Sequence, residues 1–284
     1  MKRLIPIILF VIVAGGAYAW FNRVEIREMV MGTEQVADVP AVSFEEVNRS
    51  TDDTDLRNTD DNEPELKDTT LEPVKEPVPE PVEEADVEAV VDDELPAELN
   101  LAVPWTPQAP FANWDDVHED ACEEISIYMV HLFYSGVPAG LVDPAAAEAV
   151  LLDMVDAEVD SLGIWADTTA AETAEFAESY YGYETELIVN PTVNQIKEQL
   201  VMGYPVIVPM AGQVLMNPFF TPPGPDYHML VVKGYTADGF ITNDPGTRRG
   251  ENWVYGFDHF MNSMHDWNGG NVLEGQKVVI ILKP

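Results

Sequence analysis

The chain has one cysteine, Cys122, five histidines and 51 acidic residues, so nucleophilic chemistry has one natural candidate and few bases to serve it. Cys122 stands in Ala121-Cys122-Glu123-Glu124, at the first turn of a predicted helix. There its sulfur would meet unpaired backbone N–H groups and the positive end of the helix dipole, both of which favour thiolate. A carboxylate next to the sulfur would work the other way. Successive residues leave a helix about 100° apart, so Glu123 and Glu124 are expected to face solvent. His228 opens one predicted strand and Asp244 closes its partner, and the turn Thr236-Ala237-Asp238-Gly239 returns both to one end of a sheet. An aspartate so placed accepts from one imidazole nitrogen, fixes the tautomer, and leaves the other nitrogen for a thiol. Gln108, just upstream of the cysteine helix, has an amide that can join the Cys122 backbone N–H in holding an oxyanion. Each residue also has an ordinary reading: a free cysteine is commonly inert and buried, a strand histidine commonly structural, a loop glutamine commonly solvated.

Other residues compete for roles. His118 precedes the cysteine by four positions but has no evident carboxylate to orient it. His259, His265 and Asp266 are possible metal ligands, with surface polarity the stronger reading because no third close ligand is evident. Arg248 and Arg249 attract an anion or pair with local acids; the sequence does not separate the two. Trp105 and Trp114 line a groove or anchor packing, and packing is favoured. Pro218, Pro222, Pro223 and Pro225 mark a long loop before His228 that forms a cleft wall or an ordinary crossover.

The elements that must position these residues run helices first, strands last. Apolar spacing predicts helices at Cys122–Ser135, Pro144–Val159, Thr168–Tyr180 and Val193–Val201, the last capped by Thr192 and stopped by Gly203. Ile125, Met129 and Leu132 form one face of the first, and Asp120 with Glu123 offers it a capping-box-like start. Strands are predicted at Pro205–Met210, Met229–Tyr235, Gly239–Asn243 and Val278–Leu282. Helices followed by mostly antiparallel strands give an α+β domain over 101–284.

Upstream the composition changes. Lys2 and Arg3 precede an apolar run from Leu4 to Phe21, read as a signal anchor over 1–21 that keeps the N-terminus inside and exports the rest. A cleaved signal peptide ending at Ala17-Tyr18-Ala19 is the alternative. Residues 22–100 read as an acidic, proline-rich, disordered stalk: over Thr51–Asn100 acids far outnumber Arg57, Lys67 and Lys75, and proline recurs from Pro73 to Pro81. A net charge of -37 excludes a nucleic-acid binder, which needs cations for phosphate. One cysteine excludes an internal disulfide and a cysteine-based zinc site. No cofactor is expected. The partners expected are the membrane, through the N-terminal segment, and a peptide or protein substrate.

Three blocks carry a resemblance. Val103-Pro104-Trp105-Thr106-Pro107-Gln108-Ala109-Pro110-Phe111 with Asn113-Trp114-Asp115-Asp116 and the cysteine block come first, then Asn243 to Asn252, then His265-Asp266-Trp267-Asn268-Gly269-Gly270. Together they resemble the peptidase C39-like family, a branch of the papain-like cysteine peptidases, over residues 101–284. The resemblance implies a papain-like fold with Cys122 as nucleophile, His228 as base, Asp244 as orienter and Gln108 at the oxyanion. Bacteriocin-processing members place the glutamine closer to the cysteine, usually follow the cysteine with glycine and are fused to a transporter. Cleavage of double-glycine leaders is therefore not implied.

Overall fold

The computed structural model describes residues 38–55 and 95–284; the expected export segment and most of the expected stalk lie outside them. Among the described residues no helix is long and apolar enough to cross a membrane.

The chain is followed here in order. Helix α1 spans Phe44–Asp55, strand β1 Leu99–Asn100, helix α2 Asp116–Glu119 and helix α3 Cys122–Tyr134. Helices α4 (Pro144–Leu162) and α5 (Ala170–Tyr181) lead to β2 (Glu184–Val189), α6 (Val193–Val201), β3 (Val206–Ala211) and the short α7 (Gly212–Leu215). Strands β4 (Tyr227–Tyr235), β5 (Gly239–Asn243) and β6 (Trp253–Gly256), helix α8 (Phe257–Ser263) and strand β7 (Val278–Lys283) complete the domain. The expected α+β class holds.

The strands form one antiparallel sheet in the order β2-β7-β3-β4-β5-β6, with β1 also on β4. Strands β3, β4 and β5 are buried at every position, so both faces of the sheet centre are covered. They therefore read as apolar runs and not as alternation. Helix α3 packs against β4, α5 against β2 and β7, α6 against β3 and β4, and α8 against β5 and β6. Gly234 is required where β1 joins β4, since a Cβ there would sit 2.1 Å from the Leu99 carbonyl oxygen. Pro209, within β3, gives its carbonyl to the His265 N–H beyond the point where β7 stops pairing. Its missing N–H thus breaks no ladder bond.

Local rules account for the helix ends. Thr169 and Thr192 each form a capping box, with Glu172 and Gln195. Asp143 caps α4 ahead of Pro144, and Gly163 closes it in the left-handed region. The capping box expected from Asp120 and Glu123 does not form: Ala121 is the N-cap of α3 and caps with no side chain. Asp120 instead ends α2.

The stalk expected over 22–100 is corrected at both its described parts. Val42 bridges Leu101, Phe44 meets the rings of Phe133 and Tyr134, and Val47 is buried. Residues 38–55 thus fold onto the domain, and Leu99–Asn100 belongs to the sheet.

Candidate active site

The β4–β5 hairpin does what its turn predicts. Thr236 N–H reaches the Gly239 carbonyl at 2.9 Å, and at the far end His228 Nε2 lies 2.8 Å from Asp244 Oδ1. Both residues are buried, Asp244 completely. The same oxygen accepts from Gly246 N–H at 3.0 Å, while Oδ2 accepts from Asn217 Nδ2 at 3.0 Å and Tyr255 Oη at 2.7 Å. Burial alone would raise this carboxyl; the facing His228 and the bonds from His228, Tyr255 and Asn217 outweigh it and hold Asp244 below the ordinary carboxylate value. With Nε2 committed to Asp244, Nδ1 is the nitrogen left to serve a thiol. Gly246 sits where a Cβ would approach His228 Cε1 to 2.8 Å and Phe220 Cε1 to 2.9 Å, so only glycine lets this loop close over the imidazole.

Cys122 is at the start of α3, as expected, and its neighbourhood is not the expected one. The thiol donates to Glu123 Oε2 at 2.9 Å and accepts from Met229 N–H at 3.2 Å. These are its hydrogen-bond partners among the described residues, and the imidazole of His228, the residue next to Met229, is not one of them. Cys122 is only 4% exposed. Burial, then the charge of Glu123 and the bond to it, push the thiol well above its ordinary value, against a smaller opposing effect of the Met229 N–H. These effects oppose the thiolate that the helix dipole favours.

The expectation that Glu123 and Glu124 face solvent is overturned for both, which are 1% and 0% exposed. Helix α3 is buried all round from Cys122 to Val130, so a turn of about 100° leads from one packed neighbour to the next. Burial pushes Glu123 up to about 8 and Glu158, on α4, up to about 7. Glu124 rises well above the ordinary range for the same reason and through Glu158.

Gln108 is buried, its N–H on the Pro245 carbonyl at 2.9 Å. Its amide hydrogens go to the carbonyls of His118 at 2.8 Å and Glu119 at 2.9 Å. The donor expected to face an oxyanion is thus engaged, whereas the Cys122 N–H is one of the unpaired donors of a helix start. Lys233 Nζ and Asn243 Nδ2 bind the Val103 carbonyl, and Asn243 Nδ2 also binds that of Pro104; these bonds tie the segment leading to Gln108 to β4 and β5.

A cleft of about 700 Å³ opens beside the imidazole and is lined by Gln108, His228 and Gly246. Phe219, Phe220, Thr221 and Pro225 also line it, which makes the proline-marked loop a wall. Glu119, Asp120, Asp167 and Asp226 line it with Arg248 and Arg249, and Arg249 lies over the Phe219 ring at 4.9 Å. Trp114 lines the cleft and is 40% exposed, whereas Trp105 is buried and donates to the Asp244 carbonyl. Packing therefore describes Trp105 and not Trp114.

His118 does have carboxylates to orient it, contrary to expectation: Asp115 at 2.6 Å on Nδ1 and Glu148 at 3.0 Å on Nε2. Both ring nitrogens are occupied, so the pair of acids serves to hold α2 against α4. His259 and His265 bind the carbonyls of Leu215 and Gly275, and Asp266 accepts from Ala170 N–H and Trp267 N–H. Asn217 and Tyr255 are the site residues that sequence reasoning missed, and Glu123 is one that it turned the wrong way; Asn217, just before the proline-rich stretch, carried the nearest thing to a signal.

Residues 100–270 match the model of the Peptidase C39 like family. A solved structure from Bacillus anthracis, described as a C39-like peptidase, is similar at 14% identity with a TM-score of 0.43, covering 66% of this chain and 98% of that one. No curated protein matches the chain.

Proposed function

Because the chain belongs to the Peptidase C39 like family, we propose that its globular part is a cysteine peptidase working through Cys122, His228 and Asp244. The observation that carries this reading is the buried dyad: an imidazole fixed through Nε2 by a carboxylate with four donors, beside the one cysteine of the chain. In this scheme Nδ1 of His228 takes the thiol proton and Sγ attacks the substrate carbonyl carbon. The Cys122 N–H receives the oxyanion, joined by Gln108 when it exchanges one carbonyl bond for the new charge. The imidazolium then protonates the leaving nitrogen, and water, activated by the same imidazole, hydrolyses the acyl-enzyme. A peptide or protein is the substrate; an amine in place of water would give transfer with the same residues. The domain acts outside the cytoplasm, tethered by the apolar run at Leu4–Phe21. Secretion after cleavage of that run is the alternative.

One observation favours a second reading, a binding domain that keeps the fold without turnover: the thiol is buried and bonded to Glu123. Turnover of a fluorogenic peptide library by the purified full chain separates the two. The peptidase reading expects cleavage that is lost in Cys122→Ala and in His228→Ala. Cleavage that survives Cys122→Ala sinks the triad, and a wild-type chain that cleaves nothing while binding peptides supports the second reading.

A further inference from the structure

The sulfur accepts from the N–H of Met229, next to His228 on β4, and has no hydrogen bond to the His228 ring. The cleft wall includes His228 but not Cys122, and the thiol hydrogen points to Glu123 Oε2. Glu123 is itself unusual: 1% exposed, with Oε1 lacking any hydrogen-bond partner. The groups that face it are Cys122 and Glu124 on its own helix, Glu158 on α4, Asp167 before α5 and Tyr227 on β4. None is a cation. Among the described residues the thiol is the side chain that donates to this carboxyl, and above about pH 8, where Glu123 ionises, a thiolate beside it would place two negative charges in contact.

We propose that Glu123 holds the nucleophile in reserve: it takes the hydrogen bond that His228 needs, and the reacting state is reached when the sulfur turns about its Cα–Cβ bond from Glu123 to Nδ1 of His228. The inference rests on Cys122 being the nucleophile. The proton balance is simple. The S–H···Oε2 bond breaks, the thiol proton passes from Sγ to Nδ1, and Nε2 keeps the proton that it donates to Asp244. Glu123 loses its donor in that step, so substrate binding has to offset the loss. Glu123 is thus a positioning residue whose effect is to keep the sulfur protonated and out of the cleft until substrate arrives.

Alkylation by iodoacetamide reads this directly, because thiolate reacts and thiol does not. At pH 9, above the value of about 8 to which burial raises Glu123, the folded wild-type chain is expected to react more slowly than free cysteine. Glu123→Gln keeps the shape, removes the charge and is expected to speed alkylation about tenfold or more, with the rate profile moving to lower pH by about one unit. In the double variant Glu123→Gln/His228→Ala most of that gain is expected to vanish, since the freed sulfur no longer has its base. Glu124→Gln, which leaves the sulfur contact intact, is expected to change the rate by less than about threefold, and circular dichroism shows whether each variant is folded. Folded Glu123→Gln reacting no faster than wild type overturns the proposal, as does a gain that survives loss of His228. If Glu123→Gln does not fold, Glu123→Asp, which draws the carboxylate back by one methylene, is expected to speed alkylation, and no gain there overturns it equally. Failure of the peptidase reading has a separate signature, peptide cleavage that survives Cys122→Ala, whatever the alkylation rates.

Discussion

A carboxylate out of reach of water stays ionised only when donors surround it, and Asp244 has one from each of His228, Gly246, Asn217 and Tyr255. Its value is held below the ordinary one, so its contribution to stability is present above the unfolded value and lost as pH falls through the lower folded one. Asp244→Asn leaves an acceptor for Nε2–H but sets an amide against the Asn217 amide and removes the charge that steadies an imidazolium. Peptide turnover is expected to fall at least about 100-fold, within the range an orienting carboxylate commands. Tyr255→Phe withdraws one donor and is expected to cost about 1–3 kcal/mol in urea unfolding, with a smaller loss of turnover. A Tyr255→Phe chain as stable as wild type would show that Oδ2 does not depend on that hydroxyl. Asp244 was legible because a four-residue turn brings it back to His228. Asn217 and Tyr255 were not, since their reach depends on how a proline-rich loop and a four-residue strand settle. Glu123 misled because a helix rule about neighbouring directions says nothing of what lies in each direction.

Helix α4 buries Ala147, Leu151, Met154 and Val155 on its inner side, and Glu158 continues that row. It faces Glu124 of α3, so two helices meet through acids where apolar residues would be expected. Burial pushes Glu158 up to about 7. A carboxyl raised on folding stabilises below its unfolded value and loses that contribution as pH rises to the folded one, here between its reference value of 4.5 and about 7. Glu158→Gln is therefore expected to stabilise the chain at pH 8 by on the order of 2 kcal/mol and to change little near pH 4.5. Urea unfolding across that interval checks it, and a variant whose stability keeps the wild-type slope with pH would refute it. Elements as wholes were easier to read than this contact. The helices announced themselves by apolar spacing and caps such as Thr192, and the central strands by unbroken apolar runs. Strand β2 hid because it is an edge strand, largely exposed, whose Glu184-Thr185-Glu186-Leu187-Ile188-Val189 shows no apolar alternation; β6 hid because four residues are too few to show a period.

Composition alone made residues 22–100 one stalk, and what it missed is a long-range contact. Asn100 Nδ2 holds the Val39 carbonyl at 2.8 Å, Val42 N–H and carbonyl bond to Asn100 and Ala102, and Phe44 and Val47 pack on the body. Two apolar residues in a polar stretch give no sign of a partner surface so far along the chain. Residues 38–55 and 95–284 thus both belong to the body. On the tethered reading, the sequence between the apolar run and the contact at Val39 can span at most about 3.5 Å per residue, and the acidic stretch lies beyond that contact in the chain. Phe44 packs on Phe133 and Tyr134 at the far end of α3 from Cys122. With a rise of about 1.5 Å per residue, about 18 Å of helix separates the strap from the sulfur. Loss of the strap is therefore expected to weaken the body and spare the chemistry. Phe44→Ala with Val47→Ala should cost about 2–5 kcal/mol in urea unfolding, while kcat/KM per folded molecule on the peptide library stays within about twofold of wild type. A chain that begins at residue 95 should lose at least as much, and equal stability in the two-residue variant and the wild type would mean that residues 38–55 rest on the domain without holding it.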